Sequence, residues 1–169
     1  MQFEDAFKLL IGNEGGYTND TNDRGNWTGG KQGKGVLKGT KYGISAMAYP
    51  DIDIKGLTLG QAQAIYKRDY WDACGADNLP ESIRFDVFDT AVNSGVARAK
   101  KILQAAIGVV ADGVIGPVTL ATAQAMDAQR LDKLFNAERL RFISTISGKE
   151  WELYGKGWVV RIAGNMEVD

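Results

Sequence analysis

The chain has 169 residues, 44% hydrophobic and 24% charged, values of a globular protein of one domain or two packed lobes rather than of a disordered or fibrous one. Its formal net charge of −1 gives no global reason to expect nucleic acid as a partner. With no histidine and a single cysteine it cannot build a Ser-His-Asp or Cys-His centre, an HExxH zinc site or an internal disulfide, so its chemistry falls to carboxylates.

No run of apolar residues is long enough for a membrane span, and Glu4, Asp5 and Lys8 interrupt the N-terminal apolar pattern, so no signal peptide is expected. Phe3, Phe7, Leu10 and Ile11 recur at helical spacing and predict a first helix whose apolar face continues to Glu14. A carboxyl there is partly desolvated and sits at the negative end of the helix dipole, and both effects favour its protonated form. Gly15 and Gly16 then fit a helix stop. Glu14 is therefore a candidate general acid, with a salt-bridged helix end as the plain alternative. Residues 15–45 are rich in Gly, Asn, Asp and Thr and predict turns and short hairpin strands. The motif GxxxxGK[ST] cannot be placed on this stretch, so Lys31, Lys34, Lys38 and Lys41 read as a solvated loop face. Asp20 and Asp23 follow Glu14 in this loop, and Asp23, ahead of "RGNW", is the better second carboxylate. Two carboxyls in unlike surroundings divide acid and base work, as glycoside hydrolysis requires.

Thr58 and Gln61 have capping-box spacing and open a helix to about Tyr70. Cys74 reads as a buried small hydrophobe. Helices are expected over residues 83–94, 97–107 and 117–126, the last with Pro117 at its first position after a turn at Asp112-Gly113. Leu131, Leu134, Phe135, Phe142 and Ile146 share one side of a long helix over residues 127–147. A final helix carries Trp151, Tyr154, Trp158 and Ile162 at helical steps, a stripe expected to be core. The sum is a mainly α (α+β) protein with a small β-hairpin region near its N-terminus and no internal repeat.

Four stretches in order, "NEGGYTNDTNDRGNWTGG", "GTKYGIS", "RDYWDACGADNLP" and "FDVFDTAVNSG", resemble glycoside hydrolase family 108, the phage and prophage N-acetylmuramidases. "ADGVIGPVT" and the C-terminal helices ending in "GKGWVVRI" resemble the peptidoglycan-binding segment usually joined to them. The resemblance covers nearly the whole chain. It implies a lysozyme-like fold, with a hydrolase region at 1–87 and a helical peptidoglycan-binding-like region at 88–169 packed into one compact unit. It also implies cleavage of the β-1,4 bond between N-acetylmuramic acid and N-acetylglucosamine, with Glu14 of the EGGY motif as general acid. Asp23, nine positions on, matches the aspartate that positions water in phage-type lysozymes. A threonine completes that pattern: Thr28 has the closer linear spacing, Thr40 precedes the KYGI segment, and Thr40 is preferred. Its hydroxyl would hold the water on the far face of the sugar, which suits an inverting reaction. Plain alternatives are turn formation for Asp23 and hairpin hydrogen bonding for both threonines. Asn93 resembles the asparagine of the phage-type FNxG segment, with helix capping as its alternative. Tyr42, Tyr70 and Trp71 offer faces for sugars, Trp71 being core by default; Asp69 and Asp86 read as structural.

The activity so implied is that of a bacteriophage endolysin. Such a protein is made in the host cytoplasm without a signal peptide and acts as a monomer on periplasmic peptidoglycan after a holin opens the inner membrane. No metal or organic cofactor is expected. The rivals are a lytic transglycosylase, which forms anhydro-muramic ends with no directed water, and a non-catalytic wall-binding or secretion-accessory protein.

Overall fold

The computed structural model describes residues 1–12 and 16–167, which are mainly helical with one two-stranded antiparallel sheet among them. The first helix, α1 (Phe3–Ile11), forms on the expected stripe: Phe3, Ala6 and Phe7 are buried, and Leu10 and Ile11 are half-buried. It stops earlier than the sequence suggested. Gly12 takes a φ of +56° and its N–H donates to the Lys8 carbonyl at 3.0 Å, so Gly12 supplies the left-handed stop expected of Gly15 and Gly16. Asn13, Glu14 and Gly15 lie outside the described residues.

The chain divides into two compact units, Glu4–Lys67 and Met1–Phe3 with Arg68–Asp169. The smaller unit holds β1 (Thr40–Lys41), β2 (Ile44–Ser45) and α2 (Leu59–Tyr66). Thr40 pairs with Ser45 and Lys41 with Ile44, which leaves a two-residue connection, Tyr42-Gly43. Both of its residues have positive φ, +51° and +74°, as a type I′ hairpin turn demands. Helix α2 opens with the expected capping box: the Thr58 hydroxyl accepts the Gln61 N–H at 3.3 Å, and the Thr58 N–H donates to Gln61 Oε1 at 2.9 Å. Phe7, Ile44, Ile54, Leu57, Ile65 and Tyr66 form this unit's core, with the Phe7 and Tyr66 rings 5.6 Å apart.

The larger unit begins within a π-helical stretch, Lys67–Asp72, and continues through α3 (Glu81–Ser94), α4 (Val96–Ala106), α5 (Pro117–Gln124), α6 (Ala128–Ser144) and α7 (Lys149–Asn165). Helix α3 is buried without a break from Phe85 to Ala91, so it shows no polar face and no clear helical stripe in the sequence. Phe3, Trp71 and Phe88 pack edge to face, with centroids 5.4 to 6.0 Å apart. Trp71 is fully buried, its indole N–H donating to Asp77 Oδ1 at 2.8 Å. Cys74 is buried and its thiol is pushed up to about 12 by that burial, which makes it inert at neutral pH. The "ADGVIGPVT" turn is stapled to α4 by the buried Gln104. Its Oε1 accepts the Gly113 N–H at 2.7 Å, and its Nε2 donates to Asp112 Oδ1 at 2.7 Å and the Val114 carbonyl at 3.0 Å. Pro117 takes the first helical position of α5, as expected.

The aromatic stripe of α7 is not core. Trp151 and Tyr154 are 38% and 55% exposed, Trp158 is half-buried, and only Ile162 of the four is fully buried. A Cβ at Gly155 would stand 2.6 Å from Trp151 Cδ2, so the absence of a side chain there leaves room for the indole to pack over the glycine. No helix among the described residues is long and apolar enough to cross a membrane.

Candidate active site

The smaller unit contains few ladder bonds, and side chains complete its backbone hydrogen bonding. Asp23 is exposed and caps a 3-10 turn, Arg24–Asn26, accepting the Gly25 N–H on Oδ1 at 2.8 Å. Asn26, the last residue of that turn, is fully buried. Its Nδ2 donates to the Asp20 carbonyl at 2.9 Å, and its Oδ1 accepts the Thr40 hydroxyl at 2.7 Å. Its main-chain oxygen accepts the N–H groups of Lys38 and Gly39 at 3.0 and 3.1 Å. Thr40 is half-buried and exchanges two backbone bonds with Thr18, at 2.8 and 2.9 Å, so three strand-like segments meet at it. Gly39 allows that approach, because a Cβ there would strike the Thr18 carbonyl and stand 2.6 Å from Tyr17 Cε2.

Asp23 and Thr40 are thus joined through one residue, Asn26, which the sequence reading passed over. Only its place in "RGNW" marked it, and that pattern reads as a turn. Thr28 is engaged elsewhere: its hydroxyl accepts the Val36 N–H at 2.9 Å and helps close the loop between them. Lys38 and Lys41 are not the free loop face expected of them, since their ammonium groups donate to the carbonyls of Pro50, at 2.6 Å, and Lys55, at 3.1 Å. Glu14 lies outside the described residues.

Tyr42 stands at the tip of the β1–β2 hairpin and is the one non-glycine residue with positive φ among the described residues. Its carbonyl accepts the Tyr66 hydroxyl at 3.1 Å, and the Lys41 ammonium lies 5.3 Å from its ring centroid. A bulky side chain held in the left-handed region is strained, and such strain concentrates at functional positions. In the larger unit, Tyr70 is half-buried within the π-helical stretch, a local geometry common at functional sites. Asn93 is exposed near the end of α3, and its Nδ2 donates back to the Asp89 carbonyl at 3.2 Å instead of capping the helix end.

The larger unit has a carboxylate cluster of another kind. Asp89, 1% exposed, accepts from Arg139, from Arg161 at 2.7 Å through Nε, and from Asn165 at 2.9 Å. Burial pushes its carboxyl up, but the two guanidinium groups outweigh burial and hold it below the usual range. Asp86, one turn earlier, is raised to about 7 by burial and by the charges of Asp132 and Asp89, against the pull of Arg139. A carboxyl tuned to neutral pH is a catalytic candidate on chemistry alone. At 4% exposure, however, Asp86 has no surface to offer a polymer.

The Glycosyl hydrolase 108 family profile matches residues 7–95, and the profile described as "Predicted Peptidoglycan domain" matches residues 98–163. No curated protein sequence matches the chain. Among solved structures, that of Brucella abortus SagA is similar, with a TM-score of 0.80 and 31% identity over 98% of this chain and 91% of that one.

Proposed function

The chain belongs to the Glycosyl hydrolase 108 family, and from that membership we propose that this peptidoglycan hydrolase is an N-acetylmuramidase, cleaving the β-1,4 bond from N-acetylmuramic acid to N-acetylglucosamine with inversion. Glu14 donates the proton to the leaving oxygen. Asp23 and Thr40 hold the attacking water on the opposite face of the sugar, and the water leaves its second proton on Asp23. The observation that carries this reading is the link from the Asp23-capped turn through Asn26 to the Thr40 hydroxyl. It favours Thr40 over Thr28, whose hydroxyl serves a loop bond. Tyr42, Tyr70 and Asn93 are the proposed sugar contacts. The protein acts as a monomer on the cell wall, reaching it as a phage endolysin does, through a holin-opened membrane.

A lytic transglycosylase needs no second carboxylate to manage water, so an organised Asp23 speaks against it. Mass spectrometry of fragments released from purified peptidoglycan tests the choice. Reducing-end N-acetylmuramic acid is expected; anhydro-muramic ends would make the protein a transglycosylase, and an absence of fragments would leave a wall-binding protein.

A further inference from the structure

We propose that Asn26 is a positioning residue that sets the direction of the Thr40 hydroxyl, and through it the orientation of the attacking water. The inference rests on the reading of Asp23 and Thr40 as the water-holding pair.

Among the described residues, Asn26 is the one fully buried polar side chain of the smaller unit. Its amide orientation is dictated by chemistry. The Asp20 main-chain oxygen can only accept, so the atom 2.9 Å from it must be Nδ2, and the atom facing Thr40 must be Oδ1. An amide oxygen can also only accept, so the Thr40 hydroxyl donates its one proton to Asn26 at 2.7 Å. What Thr40 then offers any further partner is lone pairs. A water meeting Thr40 has to donate to it.

Asp23 imposes the same polarity. Its Oδ1 already accepts the Gly25 N–H, and Oδ2 has no hydrogen-bond partner among the described residues. A water that donates one proton to Asp23 and one to Thr40 keeps its lone pairs for the anomeric carbon. If the Thr40 hydroxyl were free to rotate, it would donate to that water instead and occupy a lone pair needed for attack. The bond is not needed to hold the strand, because Thr40 is already fixed by two main-chain bonds to Thr18. What remains for Asn26 Oδ1 to fix is the hydroxyl rotor.

The test is a double-mutant cycle on purified peptidoglycan with four proteins: the parent, Asn26→Ala, Thr40→Val and the double variant, each with kcat, KM and a thermal melt. Misdirecting a reacting group costs on the order of a hundredfold in rate. Each single variant should lose kcat on that scale with KM near the parent's, and the double variant should be no slower than Thr40→Val alone. Losses that multiply in the double variant would make Asn26 a loop support acting apart from Thr40 and overturn the proposal. So would parent-like kcat in Asn26→Ala beside a slow Thr40→Val, an outcome that leaves the water-holding pair standing. Parent-like kcat in Thr40→Val would remove that pair itself, and the proposal with it. Should Asn26→Ala fail to melt cooperatively, Asn26→Asp is measured in its place. Its carboxyl, ionised or protonated, still accepts from the Thr40 hydroxyl, so its kcat should stay near the parent's; a loss as large as that of Thr40→Val overturns the proposal.

Discussion

The two units put their central polar side chains to different use. In the larger unit the helices close their own backbone bonds, and the buried Asp89 of α3 gathers Arg139 of α6 together with Arg161 and Asn165 of α7. In the smaller unit two strands of two residues each are extended by main-chain bonds between loops, and Asp23, Asn26 and Thr28 add side-chain bonds to backbone groups the loops leave open. Changes to the first kind of group should therefore be read in stability. Changes to the second should be read in the shape of a site.

That contrast can be pressed by substitution. Glu14→Gln should have the largest effect, a loss of turnover on the order of 10²–10⁴-fold, the range for one general acid, with binding to peptidoglycan retained. Turbidity clearance and a pull-down with whole cell walls measure the two together, and clearance at the parent rate would remove Glu14 from the chemistry. Asp89→Asn should leave two guanidinium groups short of their counter-charge and destabilise the protein by about 3–5 kcal/mol in denaturant unfolding. Because the folded Asp89 carboxyl lies below its unfolded value, its contribution is present above pH ~4 and lost as pH falls through the folded value. Parent and variant should therefore converge in strong acid.

Asp86 has the opposite sign. With a folded value of about 7 against a reference of 3.8, it stabilises the fold most fully below pH ~4, and that contribution is lost as pH rises to about 7. Asp86→Asn should flatten this slope and raise the melting temperature at pH 8 relative to the parent; an unchanged slope between pH 4 and 7 would mean that Asp86 is solvated. The smallest effect belongs to Tyr42→Asn. Asparagine tolerates positive φ, so stability should rise by up to about 1 kcal/mol, while the lost ring raises KM. A rise in stability with KM unchanged would leave the tyrosine without a role in binding sugar.

The sequence disclosed elements wherever one local signal dominated. Thr58 and Gln61 announced α2, Pro117 announced α5, and the amphipathic stripe announced α6. It misled where position depended on packing: the α7 aromatics follow a core spacing, yet Trp151 packs over Gly155 and both it and Tyr154 stay exposed. Gly12 ended α1 before the glycine pair that looked like the stop, because any glycine that finds left-handed space suffices. Motif order pointed to Asp23 and Thr40, but nothing local marked Asn26, since its burial comes from segments as distant as Asp20 and Thr40 closing around it.

A water directed by Asp23 and Thr40 fixes the anomeric configuration of the first product, which can be read directly. Proton NMR of a glycan digest, followed from the earliest time points before mutarotation, should show the α-anomer at the new N-acetylmuramic acid reducing end. The β-anomer appearing first would mean retention through a second, nucleophilic group, and would contradict the directed-water mechanism.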